Sequence, residues 1–154
     1  MSTEYGKNLK ISIYGGSHDE HIGIYAKGLP AGFSFGQNAL LEFLARRAPG
    51  QNEFSTTRKE PDRPEFLSGV KEGVTTGAPL TAIIRNTNTK SSDYASLMQC
   101  PRPSHSDYAA YVHYKGFNDI TGGGHFSGRL TAPIVTAGSI LRLYLKEKNI
   151  EIGG

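Results

Sequence analysis

The chain has 154 residues with 37% hydrophobic and 20% charged side chains, which is the size and mixture of one globular domain and excludes a wholly disordered chain. Its formal net charge is +3 and its basic residues are scattered, so the charge pattern does not indicate a nucleic-acid-binding protein. The single cysteine, Cys100, excludes an internal disulfide and a multi-cysteine zinc site, and no apolar run reaches the ~20 residues that cross a membrane.

Strands dominate the predicted elements at the start of the chain. Residues 10–14 and 22–27 alternate polar and apolar side chains, as half-buried strands do, and the polar turn 17–21 separates them. A helix is predicted over residues 37–47, with Ser34 as a candidate N-cap. The apolar stripe of this helix consists of Leu40, Leu41, Leu44 and Ala45.

Two more strands, at 66–70 and 80–84, precede the helical half of the chain. A tyrosine-rich helix is expected over 107–114, and a longer one over 131–148 with a proline in its first turn. The glycine run at 122–124 lies between them and suits no regular element. The long helix is predicted to bury a stripe made of Ile134, Val135, Gly138, Leu141 and Leu145.

The order of these elements predicts the fold class. Consecutive strands interrupted by one helix and followed by two more are typical of a mixed α+β domain with an antiparallel sheet. The sequence contains no internal repeat and no linker-like segment. We therefore expect residues 1–154 to form a single domain.

Three loops concentrate polar side chains that can do chemistry, and each contains a histidine. They span residues 15–21, 102–108 and 122–129. Histidine transfers protons near neutral pH, and arginines such as those of the Arg46–Arg47 pair suit phosphate and carboxylate ligands. Glycines that lead into a helix also expose backbone N–H groups toward an anion. The loops therefore indicate a site for a small anionic ligand.

Eight segments, in register along the chain, together resemble chorismate synthase. The Tyr14–His18 loop is similar to the family's F-G-E-S-H-G, and the Arg46–Gly50 segment to its R-R-R-P-G. No single segment would be sufficient, but eight in the same order are specific. The other matching segments are residues 58–62, 67–70, 73–77, 86–87 with 92–94, 102–108 and 122–131.

The resemblance implies an activity, a cofactor and an assembly. The family converts 5-enolpyruvylshikimate 3-phosphate to chorismate and phosphate in the shikimate pathway, which leads to the aromatic amino acids. The enzyme is a lyase that performs an anti-1,4-elimination, and it needs reduced FMN (FMNH2), which lends an electron without net redox change. NADP is also associated with the family. The family fold is a β-α-β sandwich that forms a homotetramer, of which this chain would be the N-terminal portion.

The resemblance also implies roles for individual residues. His18 and His105 match the catalytic histidines of the family. Three arginines match substrate-binding positions, and a run of three residues matches the segment that touches the flavin. The arginines are Arg47, Arg102 and Arg129, and the flavin-binding residues are His125, Phe126 and Ser127. No metal site, membrane or nucleic-acid partner is implied, and the absence of a basic-then-apolar leader favours a cytoplasmic location.

The sequence also permits two other hypotheses. One is a metal-dependent hydrolase, because five side chains in the polar loops could ligate a divalent cation. These are His18, Asp19, His21, His105 and Asp107. The other is a non-catalytic paralogue or fragment that retains the family fold, since Ala48, Glu53 and His125 stand where the family has arginine. These three departures make the site less positive, so we expect this chain to bind flavin and substrate weakly.

Overall fold

A computed structural model describes residues 3–48, 62–87 and 100–153 of the chain. Predicted features at Pro49–Gly50, Glu53, residues 58–61 and residues 92–94 lie outside the described residues. The strands within them are β1 (Glu4–Tyr5), β2 (Lys10–Gly15), β3 (His21–Lys27), β4 (Glu65–Ser68), β5 (Val70–Lys71), β6 (Val74–Thr75) and β7 (Leu80–Arg85). The α-helices are α1 (Gln37–Ala45), α2 (Asp107–His113) and α3 (Thr131–Glu147).

Five of these strands form one antiparallel sheet in the order β1-β2-β3-β7-β4, and β5 pairs with β6 in a separate hairpin. Strand β3 lies at the centre, where Ile22, Ile24 and Ala26 are buried while Tyr25 and Lys27 are exposed. This alternation is the pattern by which the sequence predicted the strand. A register shift between Phe66 and Ser68 marks a bulge where β4 pairs with β7.

Helices α1 and α3 contact each other, and α3 also contacts the central strands of the sheet. Leu40 and Leu44 of α1 are buried, as the predicted stripe requires. The helix is shorter than predicted, because Arg46 is its C-cap and Arg47 follows as a turn. The candidate cap Ser34 is wrong: Gly36 holds the N-cap position, and Ser34 forms an isolated bridge with Val74 instead.

The predicted buried stripe of α3 is only partly correct. Its Ile134 is 45% exposed and Gly138 is exposed, while the helix buries a neighbouring face. The buried residues are Ala132, Pro133, Thr136, Ala137, Ser139 and Ile140. Small side chains and hydroxyls let this face approach the sheet closely, and both hydroxyls are satisfied within the helix, by Ala132 O at 2.9 Å and Val135 O at 2.7 Å. Val135 and Leu141 are partly buried against the core, and with Gly138 and Leu145 they line an open groove.

The predicted fold class, α+β with an antiparallel sheet, is confirmed. The core is continuous between the sheet and the helices that cover it, and it includes Ile22, Ile24, Leu40, Leu80 and Ile140. Among the described residues, no helix combines the length and the apolar character that crossing a bilayer demands. The three polar loops predicted to carry chemistry lie at the ends of these elements: one joins β2 to β3, one leads into α2, and one leads into α3.

Candidate active site

The glycine run forms the centre of the candidate site. Gly122, Gly123 and Gly124 have positive φ values of 63°, 86° and 53°, which glycine adopts at little cost, and they interrupt the short 3-10 segment Thr121–Phe126, which is followed by a second, Gly128–Leu130. A Cβ on Gly122 would lie 1.9 Å from Nδ1 of His18, and one on Gly123 would lie 3.2 Å from Cε1 of His105. The backbone of the run therefore touches both predicted catalytic histidines.

His18 is held by its neighbour Ser17, which is fully buried. The Ser17 hydroxyl donates to the carbonyl of Gly122 at 2.9 Å, and its backbone N–H donates to the carbonyl of Gly124 at 3.2 Å. Nδ1 of His18 lies 3.1 Å from the same hydroxyl. The hydroxyl of Ser17 therefore holds the ring of His18 against the glycine run. No sequence pattern marks Ser17 as the residue that holds this loop.

His105 forms a dyad with Asp107, the first residue of α2. Its Nδ1 lies 2.6 Å from Oδ1 of the carboxylate, which can only accept, so Nδ1 carries the hydrogen, and Nε2 lies 3.4 Å from Nη2 of Arg102. Asp107 is 5% exposed. A carboxylate buried next to an imidazole fixes both the orientation and the tautomer of the ring.

Arg102 supplies the positive charge that balances the carboxylate of Asp107. Its Nε and Nη2 donate to the two oxygens of Asp107 at 2.8 and 2.9 Å, and its backbone N–H donates to the same carboxylate at 3.1 Å. These hydrogen bonds hold the pKa of Asp107 well below its usual range despite burial, with smaller contributions from the Arg102 and His105 charges. Asp107 is therefore an anion at any pH at which a histidine titrates.

A second buried carboxylate joins two predicted substrate arginines. Asp62 is 1% exposed and pairs through Oδ2 with Nη1 of Arg47 and through Oδ1 with Nη1 of Arg129. Arg47 also donates from Nε to the hydroxyl of Thr131 at 3.1 Å, and its side chain is 20% exposed. Arg129 is almost fully buried. This cluster of two cations and one anion links the end of α1 to the turn before α3.

The predicted flavin-binding residues lie on the other side of the β2–β3 loop. Nδ1 of His125 is 2.9 Å from the carbonyl of Gly15, and the ring of Phe126 is 6.2 Å from that of Tyr114. Ser127 instead caps the 3-10 turn, accepting from the Arg129 N–H at 3.3 Å. An open cleft of about 420 Å³ is lined by Gly15, Gly16, Asp19, Tyr114, Phe117, Asn118, Asp119, His125 and Phe126.

The predicted site residues thus fall into three groups: the histidines with Arg102, the Asp62 cluster, and the cleft beside His125. His18 and His105 flank the glycine run, Arg102 lies against His105, and Arg47 with Arg129 forms the Asp62 cluster. The ligand set of the metal-hydrolase hypothesis is not assembled: within residues 3–48, 62–87 and 100–153, no three His, Cys, Asp or Glu side chains are grouped so that they could hold an ion. His105 and Asp107 pair with each other, and Asp19 accepts from the Gly16 N–H.

Comparisons with known proteins identify the family of this chain. The family model described as chorismate synthase matches residues 9–154. The chorismate synthases of Thermococcus kodakarensis and Korarchaeum cryptofilum are 44% and 42% identical to this chain over 147 and 148 residues. Each alignment covers 96% of this chain, which spans 41% of the length of these curated relatives.

A solved structure extends the likeness to the fold. The crystal structure titled as that of chorismate synthase superposes with a TM-score of 0.67 at 27% identity, over 96% of this chain and 36% of that one. The sequence match and the structural match cover nearly the whole of this chain, and both lead to the same family. This chain therefore belongs to the chorismate synthase family.

Proposed function

We propose that this chain forms the N-terminal portion of a chorismate synthase, a lyase that converts 5-enolpyruvylshikimate 3-phosphate to chorismate and phosphate. The observation that carries the proposal is the glycine run, whose backbone lies against both His18 and His105. Two histidines from loops about 90 residues apart, each held in place by a neighbouring side chain, are suited to proton transfer at one small substrate. A purely structural domain would not need either restraint.

His105 is the better-restrained acid–base group of the two. Asp107 holds the Nδ1 hydrogen, so protons are gained and lost at Nε2, and the carboxylate stabilises the imidazolium once it forms. His18 has the neutral hydroxyl of Ser17 in the equivalent place. His105, held by an anionic carboxylate, is therefore the more firmly oriented of the two rings.

The arginines supply positive charge for a substrate that carries a phosphate and two carboxylates. The Arg102 side chain is 34% exposed beside His105, so its guanidinium can meet an anion without leaving Asp107. The Asp62 cluster carries one net positive charge, and Arg47 is its more exposed end. Arg129 contributes to the same charge from a buried position.

The cleft beside His125 fits reduced FMN. Tyr114, Phe117 and Phe126 give it aromatic walls, and Phe117 is 92% exposed, as a ring that stacks on a ligand would be. Oδ1 of Asn118, which also lines the cleft, is buried and accepts no hydrogen bond from the described residues, so it suits a ring N–H of the flavin. When bound, reduced FMN supplies the transient electron for the elimination. His125 and Phe126 would hold it, with Ser127 shaping the turn.

Other properties of the family complete the proposal. We expect a place in the shikimate pathway of aromatic amino acid biosynthesis, a homotetrameric assembly, a cytoplasmic location and an association with NADP. These expectations follow from family membership. They concern the whole enzyme, and this chain matches only about two-fifths of its relatives' length.

The test is an anaerobic assay with millimolar reduced FMN and 5-enolpyruvylshikimate 3-phosphate, since weak binding is expected. Phosphate release and the absorbance of the chorismate diene are followed together. We expect both products in equal amounts, with His105→Gln lowering the rate by ~100-fold or more. The matched control is His113→Gln, on the exposed face of α2, which should leave the rate unchanged. Equal loss in both variants, or no product from chain that has bound both ligands, would contradict the proposal.

A further inference from the structure

We propose that Asn86 is a positioning residue for His18, and that Arg129 acts on the site through it. Asn86 follows β7 directly. Its Nδ2 donates to the carbonyl of Gly16 at 3.1 Å and to that of Asp19 at 2.8 Å, and its backbone N–H donates to the carbonyl of Glu20 at 3.0 Å. One residue therefore clamps both ends of the turn that presents His18. The inference rests on the proposed function only for the role of His18.

The clamp needs an anchor on its other side, and Arg129 provides it. Nε of Arg129 donates to Oδ1 of Asn86 at 3.0 Å, which fixes the amide so that Nδ2 must face the loop. Nη2 of Arg129 lies 3.4 Å from the carbonyl of Arg85, the residue before Asn86. The guanidinium therefore holds the amide with its oxygen toward Arg129 and its nitrogen toward the loop.

Asp62 makes this anchor rigid. Its carboxylate pairs with Arg129 where both side chains are almost fully buried, so the arginine cannot swing toward solvent without leaving a buried charge unpaired. Asp62 also has a φ of 42°, which asparagine and aspartate tolerate but which the surrounding structure must enforce. The Asp62 cluster, whose arginines were predicted to bind substrate, is therefore connected through Asn86 to the position of His18.

The variant Asn86→Asp separates the two sides of the clamp. The side chain keeps an oxygen for Arg129, but its second oxygen replaces the donor and faces the carbonyls of Gly16 and Asp19. Two hydrogen bonds to the loop are lost while the arginine remains paired. We expect the backbone amides of Ser17 and Asp19 to exchange with solvent ~10–100-fold faster, and the ring signals of His18 to shift in NMR spectra. Asn38→Asp, the same change on the exposed face of α1, is the matched control.

A second variant keeps the inference testable if Asn86→Asp does not fold. Arg129→Lys retains the charge opposite Asp62 but loses the Nε donor to Asn86, so it should move the His18 signals in the same direction by a smaller amount. Unchanged His18 signals and amide exchange within twofold of Asn38→Asp would overturn the inference. So would an Arg129→Lys protein of lowered stability whose His18 signals are unmoved. Neither experiment contains flavin or substrate, so its failure is distinct from failure of the proposed function.

Discussion

Asp62 and Asp107 are the buried carboxylates around which the basic side chains of the site are arranged. Each accepts from an arginine, and each has a second partner: Arg47 for one and His105 for the other. A buried carboxylate is costly unless it is paired, so these ion pairs fix geometry more than they add net stability. Their removal should therefore be visible both in stability and in the behaviour of the neighbouring histidine.

Asp107 makes stability depend on pH in a definite direction. Because its pKa is lowered in the folded chain, its contribution is fully present above about pH 4, the usual pKa of an unfolded aspartate, and is lost as the pH falls further. Asp107→Asn should lower the free energy of unfolding at pH 7 by about 2–4 kcal/mol. Thermal unfolding between pH 7 and pH 2 should show a flatter pH dependence in the variant. A parallel pair of curves would contradict this account of Asp107.

The glycine run permits an equally direct test. Gly122→Ala would place a methyl group on the ring of His18 and force an alanine to a φ of 63°, so we expect about 2 kcal/mol or more of destabilisation and displaced His18 NMR signals. Gly128→Ala is the control, because a Cβ there has no atom within 4 Å and Gly128 has no positive φ. It should change stability by less than about 0.5 kcal/mol. Similar effects in the two variants would contradict the role given to Gly122.

The sequence could reveal residues whose chemistry is visible in their type, but not those that act by position. His18, His105 and the arginines stand out in polar loops. Ser17, Asn86 and Asp62 are ordinary polar residues whose importance comes from contacts across 15 to 105 positions of the chain. Such contacts depend on the sheet register and on the turn before α3, and no local pattern records them.

At the scale of elements, the strands were predicted well and the buried face of α3 was not. Alternation along β2 and β3 identifies strands with one buried side, and the structure places them as neighbours. In contrast, α3 has apolar or small residues on most of its circumference, so periodicity alone does not select one face. The short strands β5 and β6 are too brief for any period to be read, and the bulge in β4 depends on its partner strand.

Two isoleucines of α3 test which face is buried. Ile140 is 2% exposed in the core, whereas Ile134, from the stripe that the sequence favoured, is 45% exposed. Ile140→Ala should lower the free energy of unfolding by about 2–4 kcal/mol, and Ile134→Ala by less than about 1 kcal/mol. Chemical denaturation of both variants gives the comparison. A larger effect at Ile134 would mean that α3 is rotated relative to this description.

At the scale of the whole molecule, family membership and binding strength are separate questions. The match covers 96% of this chain but 41% of its relatives, and His125 stands where the family pattern has arginine. Each missing charge-assisted hydrogen bond to an anion weakens binding by about tenfold or more. We therefore expect reduced FMN and substrate to bind this chain in the high micromolar range or weaker, while still contacting the same residues.

The histidines of this chain make that contact measurable. Three of the five, His18, His105 and His125, belong to the proposed site, and two, His21 in β3 and His113 in α2, do not. The ring signals of all five can be followed by NMR as reduced FMN and then 5-enolpyruvylshikimate 3-phosphate are added without oxygen, and weak binding does not prevent detection. We predict that FMN shifts the His125 signals first, with a smaller shift at His113, whose ring packs on Tyr114 of the cleft. The substrate then shifts the signals of His18 and His105, while those of His21 stay constant. Constant signals of His18 and His105 at saturating ligand, or equal shifts in all five histidines, would contradict the proposed active site.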